Sequence, residues 1–366
     1  SATFERHEGP KIAGLPSQRS SVMEKVVKMR TWLFCLALVL VGCDDNSVGL
    51  VVNPDTGQVL FPVESDWTRR LAAPLPLNDV VWDGQVFIAV GGSLGDDGVV
   101  WTSVDGIDWV ARESATDHAL VAVAAFDSDV YAVGGSGVLL STDHGETWTV
   151  KAQPDFLGLE VVANSSQVIV TGVDVGFIPH IMISEDRGET WESMIFSWGV
   201  SDLIYRDGLF VGPALTRVFS SGPLESCVIV STDGKQWNEV FVDEEVAPLT
   251  AVVDADSQVF VAGEDGTVFS SFDALNWTEL STPLEDVDYS GGAWNGTQLI
   301  FAGRVSSSQD GTYRPIGISS SDGGASWDSF GIDTGYESRG IAWGNGRFVS
   351  VGVSVLSDKG LIYTTD

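Results

Sequence analysis

Cysteine, histidine and basic residues are scarce in this chain. It has three cysteines in 366 residues, and two of them, Cys35 and Cys43, lie in an apolar N-terminal segment. Cys227 is then left without a partner, which excludes an intramolecular disulfide framework in the folded part. There are four histidines, His7, His118, His144 and His180, and no Cys/His cluster, so a structural zinc site is excluded and neither metal nor cofactor is expected. Lysine and arginine number 19 against 51 aspartates and glutamates, a formal net charge of −32. Such a surface repels nucleic-acid phosphates and anionic lipid headgroups, so neither is an expected partner. No apolar run reaches the ~20 residues of a membrane-spanning helix.

What is present begins with an address. Met29-Arg30-Thr31 leads into the run Trp32 to Leu40, which ends at Leu40-Val41-Gly42-Cys43. A basic start, a short apolar stretch and small residues at its end describe a secretory signal. Leu40-Val41-Gly42-Cys43 resembles the bacterial lipobox, which implies cleavage before Cys43 and lipidation of its sulfur. Residues 1–22 read as upstream sequence, 23–42 as the signal peptide (starting at Met23 or Met29), 43–60 as a tether and 61–366 as the folded domain. Asp44 after the lipidated position resembles an inner-membrane retention signal. The expected location is therefore the bacterial cell envelope, on the periplasmic side of the inner membrane or at the outer membrane, with Cys43 as the membrane attachment.

Beyond residue 60 one unit recurs. Ser141-x-Asp143-x-Gly145-x-Thr-Trp148 returns as Ser184, Asp186, Gly188, Trp191 and as Ser320, Asp322, Gly324, Trp327. A form one residue shorter appears as Ser103, Asp105, Trp109 and as Ser231, Asp233, Trp237, with a worn copy at Ser271, Asp273, Trp277. Between copies lie two β-rich runs joined by a short polar turn, as in Asp79 to Trp82, Asp83-Gly84, Gln85 to Gly92. The β-branched and aromatic content marks strands, and the turns mark hairpins. A third strand enters each box and a fourth starts at its Trp. Four strands repeating every ~40–50 residues predict a β-propeller. Thr364-Thr365-Asp366 reads as the first half of another box, and Asp66-Trp67 as its missing second half. The expected fold is all-β: a seven-bladed propeller of four antiparallel strands per blade, the last blade closed by both ends of the domain, because an open ring would expose two sheet edges.

The box motif resembles the Asp-box, or BNR repeat, of sialidases, two-propeller xyloglucan-active glycosidases, sortilin-type receptors and the single-propeller photosystem II assembly factors. The resemblance covers nearly all of the chain after the signal. It implies fold rather than chemistry. Within each box Ser and Asp are expected to hydrogen-bond the turn backbone, Gly to supply a left-handed conformation and Trp to pack on the sheet.

Sialidases carry an Arg-Ile-Pro motif before the first box. Here only Arg69-Arg70-Leu71 stands there, and Tyr313-Arg314-Pro315-Ile316 lies in the sixth unit. The cleft between two propellers that the xyloglucan enzymes use is absent from a single propeller. The assembly factors are protein-interaction platforms with an arginine patch, whereas the arginines here are scattered.

The first-to-second-strand turns and the boxes fall on one face of the ring. The second-to-third and fourth-to-first connections fall on the other, where longer loops favour binding. Binding candidates there are His180, Phe177, Trp198, Tyr289, Arg304, Arg314, Tyr336 and Arg339. The carboxylate pairs to test for acid–base chemistry are Asp286 with Asp288 and Asp96 with Asp97. The function expected is a monomeric, membrane-anchored, non-catalytic propeller that binds a protein or glycan and acts as an assembly scaffold. The alternative is a glycoside hydrolase, sialidase-like or otherwise exo-acting, working at the channel mouth. Replacing Cys43 by Ala should move the protein from the membrane to the soluble envelope fraction, and membrane retention of that variant would remove the lipid anchor.

Overall fold

The structure is a computed structural model that describes residues 51–52, 59–61, 66–93, 95, 97–135, 137–216, 225–243, 246–306, 313–333 and 335–365. Cys43 and the stretch that resembles a lipobox lie outside the described residues, as does Asp366. Val51–Val52 and Val59–Phe61, at the end of the stretch read as a tether, pair with each other as a small two-stranded sheet.

Seven antiparallel sheets follow, and their innermost strands lie side by side around a central channel. Blade 1 comprises Leu77–Trp82, Phe87–Gly91, Val99–Ser103 and Val110–Arg112. Blade 2 comprises Leu120–Phe126, Asp129–Gly134, Gly137–Ser141 and Thr149–Ala152, and blade 3 Leu157–Ala163, Val168–Val173, Pro179–Ser184 and Glu192–Ile195. In blade 4 the inner strand is split into Gly199–Val200 and Ile204–Arg206, followed by Leu209–Thr216, Glu225–Ser231 and Asn238–Asp243. Blade 5 is built from Leu249–Ala255, Gln258–Gly263, Val268–Ser271 and Thr278–Glu279, and blade 6 from Val287–Trp294, Leu299–Ser306, Tyr313–Ser320 and Asp328–Gly331.

Blade 7 takes Tyr336–Gly344, Arg347–Ser354 and Gly360–Thr365 from one end of the domain and Trp67–Ala73 from the other. Trp67 lies opposite Thr365 and Ala73 opposite Gly360. This is the expected closure by a shared blade. Second strands such as Phe87–Gly91 are buried along their whole length, because sheets pack on both their faces. The core is accordingly a set of apolar layers, each shared by two neighbouring blades, such as Tyr131, Val133 and Val138 of blade 2 against Val161, Val170 and Met182 of blade 3.

The box turns behave as their residues dictate. Ser141 Oγ donates to Asp143 Oδ1 at 2.8 Å and accepts from the Gly145 amide at 2.9 Å. Asp143 takes the Thr147 amide at 2.8 Å and its hydroxyl at 2.6 Å, and the Trp148 indole N–H reaches the Gly145 carbonyl at 3.1 Å. The Ser-to-Asp bond recurs in all six described boxes. Gly145 has φ of 79°. A Cβ there would crowd Ile88 and Thr102 of blade 1, just as one at Gly234 would strike Ile169 of blade 3. The glycine therefore serves both turn geometry and blade-on-blade contact. In the worn box of blade 5 Ala274 carries φ of 57°, and the Trp277 indole N–H is buried without a partner. Multiple hydrogen bonds hold the box carboxyls below their usual range; for Asp322 the value falls to about 2, with the Ser326 hydroxyl and amide as the main causes.

Polar clasps also tie the short-turn face from blade to blade. His144 Nδ1 meets Asp83 Oδ2 at 2.7 Å, Arg187 holds Asp129, Arg206 Nη1 meets Asp254 Oδ1 at 2.9 Å, and Asn345 donates to the Val104 carbonyl at 3.0 Å.

Truncation after Lys359 removes the third strand of blade 7 and exposes the layer that holds Leu361, Ile362 and Tyr363. The expected loss is about 5 kcal/mol or more of unfolding free energy, read from urea melts of the full and shortened chains. Unchanged midpoints would mean that the shared blade does not close the ring.

Candidate functional site

The channel-mouth face carries the connections that follow second and fourth strands, as expected from the strand directions. They are not uniformly long. In blade 2 the second-to-third connection spans only 135–136, and in blade 5 it is Glu264–Thr267. In blade 6 the second and third strands pair as far as Ser306 opposite Tyr313.

Each inner strand is built in the same way near this mouth. Six of the seven carry a β-bulge, at Asn78, Val121, Leu159, Thr250, Ser290 and Arg339. In blade 4 the strand is interrupted instead, between Val200 and Ile204. A bulge leaves one residue unpaired and swings it out of the ladder. Where that residue is polar it reaches the next blade. Asn78 Nδ2 donates to the Leu120 carbonyl at 2.7 Å, Thr250 Oγ1 to that of Tyr289 at 2.5 Å and Ser290 Oγ to that of Ser338 at 2.6 Å. Arg339 Nη1 completes the step from blade 7 to blade 1 by donating to Asn78 Oδ1 at 2.7 Å.

The residue after each bulge forms a ring around the channel: Asp79, Ala122, Glu160, Ala251, Gly291 and Gly340, with Asp202 in the corresponding place of blade 4. Asp79 Oδ1 accepts the Val80 amide at 2.7 Å, and its Oδ2 accepts the Val123 amide of blade 2 at 2.8 Å. Asp202 repeats this with Leu203 at 2.7 Å and with Val252 of blade 5 at 2.8 Å. Glu160 accepts the Val161 amide at 2.9 Å.

All three are half-buried. Burial pushes the Asp79 carboxyl up to about 7 and that of Asp202 to about 6, against the lowering effect of the amide bonds. Burial, reinforced by the charges of Asp202 and Asp79, holds Glu160 well above the usual range. These acids were not singled out from the sequence. The signal was present, because in three repeats an acidic residue stands immediately before the apolar run of the inner strand.

The residues expected at the site divide into three groups. Arg304 and Arg339 are brought together at the mouth between blades 6, 7 and 1. Arg304 Nη1 lies 3.1 Å from Glu337 Oε1 and its Nε 3.8 Å from Asp288 Oδ2, while Arg339 Nε is 3.7 Å from the same Glu337 oxygen. Both guanidiniums and Glu337 are below one-fifth exposed. His180 and Phe177 gather on blade 3. The His180 ring stacks on Phe156 at 5.2 Å and lies 3.5 Å from Asp174, whose carboxylate holds the turn bearing Phe177. Trp198 leans edge-on against Phe196 and donates to Glu239 at 2.6 Å.

Tyr289 and Tyr336 are corrections: both are wholly buried, inside the layers between blades 5 and 6 and between 6 and 7. Tyr336 is the first and Tyr289 the third residue of its inner strand, and side chains alternate across a strand, so these two point into the sheet interface. The Tyr336 hydroxyl meets Ser350 Oγ at 2.9 Å, and that of Tyr289 has no partner. Arg314 pairs through its backbone with Val305, and its side chain lies outside the described residues, as does Asp96. Asp97 and Asp286 are exposed, and Asp288 faces Arg304. Cys227 is fully buried, with Sγ 3.2 Å from the Ala214 carbonyl, and burial pushes its thiol up to about 12, so it is no nucleophile. No group of three potential metal ligands occurs among the described residues.

Glu337 is the shared counter-charge of two half-buried arginines. Its replacement by Ala should cost about 1–3 kcal/mol, against less than about 0.5 kcal/mol for Asp97→Ala, both read by chemical denaturation.

No protein-family model and no curated protein matches this chain. Its fold is shared with solved propellers. YCF48 bound to D1 peptide aligns with a TM-score of 0.59 at 17% identity, over 82% of this chain and 96% of that one. The RRP9 WD40 repeats align at 0.57 and 12%, over 83% and 99%. Virginiamycin B lyase from Staphylococcus aureus aligns at 0.57 and 11%, over 81% and 98%. At these identities the likeness establishes the architecture: this chain is similar to seven-bladed β-propellers.

Proposed function

We propose that this chain is an Asp-box propeller, lipid-anchored in the bacterial envelope through Cys43, that binds a protein partner on its channel-mouth face and performs no catalysis. The observation that carries this reading is the state of the carboxylates at the mouth. Those within the face, Asp288 and Glu337, are matched to Arg304 and Arg339. Of the others described above, Asp97 and Asp286 stand exposed on separate blade connections, and Asp79, Glu160 and Asp202 accept strand amides. A glycosidase needs an acid and a base facing each other at roughly 5–9.5 Å across a substrate cleft. The mouth instead offers guanidiniums with paired acids on one side and the Phe156–His180 stack on another, a mixed surface suited to peptide groups.

One of the similar folds supports a protein ligand: YCF48 was solved bound to D1 peptide. The repeated Ser-x-Asp turns, bonded as described, support the Asp-box reading.

The test is retention of one defined envelope protein by the immobilised full chain, compared with the Arg304→Ala/Arg339→Ala double variant, with a glycan array in parallel. Retention should fall about tenfold or more in the variant, since two half-buried arginines contribute on the order of 1.4 kcal/mol or more together. Glycan binding without a protein partner, or release of sugar from any arrayed glycan, would overturn the reading.

A further inference from the structure

The turns between first and second strands come in two designs. In blades 1, 3 and 6 the residue after the inner strand caps its own turn. Asp83 Oδ1 accepts the Gln85 and Val86 amides at 2.9 and 2.8 Å, Asn164 Oδ1 those of Ser166 and Gln167 at 2.8 Å, and Asn295 Oδ1 those of Thr297 and Gln298 at 2.8 and 2.6 Å. In blades 2, 4 and 5 an aspartate takes a left-handed conformation at the tip instead, with φ of 53° at Asp127, 49° at Asp207 and 56° at Asp256. Blade 7 follows the second design with one change. Gly344 stands at the capping place, where a Cβ would strike the Trp82 ring of blade 1, so no side chain caps the turn. The tip is Asn345-Gly346, with φ of 42° and 81°. Of the four left-handed tips Asn345 alone bears an amide, and the amide is in use: its Nδ2 donates to the Val104 carbonyl of blade 1 at 3.0 Å.

We propose that Asn345 is a site of spontaneous deamidation, and that its conversion releases the clasp between blades 7 and 1. The Gly346 nitrogen attacks Asn345 Cγ, its proton leaves with the side-chain amide as ammonia, and a five-membered succinimide remains. Water then opens that ring at either carbonyl, giving aspartate or isoaspartate. One asparagine and one water become one acid and one ammonia, with no change of oxidation state. The product has no N–H to offer the Val104 carbonyl. Isoaspartate also routes the backbone through the side-chain carboxyl. That inserts one extra carbon between Tyr336–Gly344 and Arg347–Ser354, two strands of the blade that closes the ring. Asn345 lies on the short-turn face, so its conversion leaves the channel mouth unchanged.

The chain carries two Asn-Gly pairs, Asn345-Gly346 and Asn295-Gly296, which provide an internal comparison. A Cβ at either glycine would meet nothing within 4 Å, so crowding does not separate them. Hydrogen bonding does. Bringing Cγ onto the glycine nitrogen turns the asparagine side chain out of its bonds. At the exposed Asn345 that breaks the one to Val104. At the half-buried Asn295 it breaks three, the third being accepted from the Thr297 hydroxyl at 3.0 Å. Two additional bonds slow the folded Asn295 roughly tenfold or more relative to Asn345. The consequences differ as well. Asp83 makes the same cap as Asn295 with a carboxylate, so an acid at 295 keeps its turn, whereas an acid at 345 loses its only bond to the next blade.

The experiment is peptide mass mapping of the full wild-type chain stored in warm, mildly alkaline buffer, once native and once in urea. In the native chain Asn345 should convert about tenfold or more faster than Asn295. In urea the two should convert at similar rates, because the turns that distinguish them are gone. Equal or faster conversion of Asn295 in the native chain, or a native ratio that urea leaves unchanged, would overturn the proposal. The clasp is read by chemical denaturation of Asn345→Asp and Asn295→Asp. The first should raise the unfolding constant roughly two- to tenfold over wild type, and the second less than about twofold. An Asn345→Asp chain as stable as wild type would refute the release of the clasp. Mass mapping uses the wild type alone, so it decides the site even where a variant fails to fold.

Discussion

A propeller depends on how its innermost strands meet, because seven twisted sheets converge there and each strand must stop pairing on one side. In this protein the bulge resolves that conflict. In six of the seven inner strands it frees one residue from its own ladder, and where that residue is polar it is offered to the neighbour. Asn78, Thr250, Ser290 and Arg339 then convert a gap between sheets into a hydrogen bond. Where the bulge residue is apolar, at Val121 and Leu159, the joints from blade 2 to 3 and from 3 to 4 rely on apolar layers such as that of Phe156, Val161 and Val170. The ring is thus polar-stitched over much of its circumference and apolar-packed over the rest.

The two faces divide labour because of the same strand directions. On the short-turn face many acids are used by structure: each box aspartate satisfies turn amides, and Asp83, Asp129 and Asp254 hold cations or imidazole from a neighbouring blade. On the opposite face the backbone is left to less regular connections, and charge is concentrated in a few half-buried groups. A strongly acidic chain therefore keeps a mouth where two arginines matter, even though arginines are few.

The fold was legible in the sequence to a high degree, and the site only partly. Box and hairpin are local, with Ser, Asp, Gly and Trp at fixed spacing, so blade number and shared closure could be read before any contact was seen. The placement of Tyr289 and Tyr336 could not. They stand within the first three residues of their strands, where a loop residue and a core residue look alike. The ring of Asp79, Glu160 and Asp202 was hidden for a related reason. Its members lie 42 or more residues apart and become neighbours only when the circle closes. The salt-bridged cluster around Glu337 needed blades 6, 7 and 1, which are joined by the last and first strands of the domain.

The shared blade has a mechanical consequence. Trp67 and Thr365 are direct partners at the same end of two antiparallel strands. Tension between the two ends of the domain would load their ladder one rung at a time, unzipping it from Trp67 towards Ala73, rather than loading all rungs together in shear. The seam of the circle is therefore its weakest direction under pull. Because its two sides lie one strand spacing apart, a short linker across them would turn the same circle into one whose seam can be cut at any other blade.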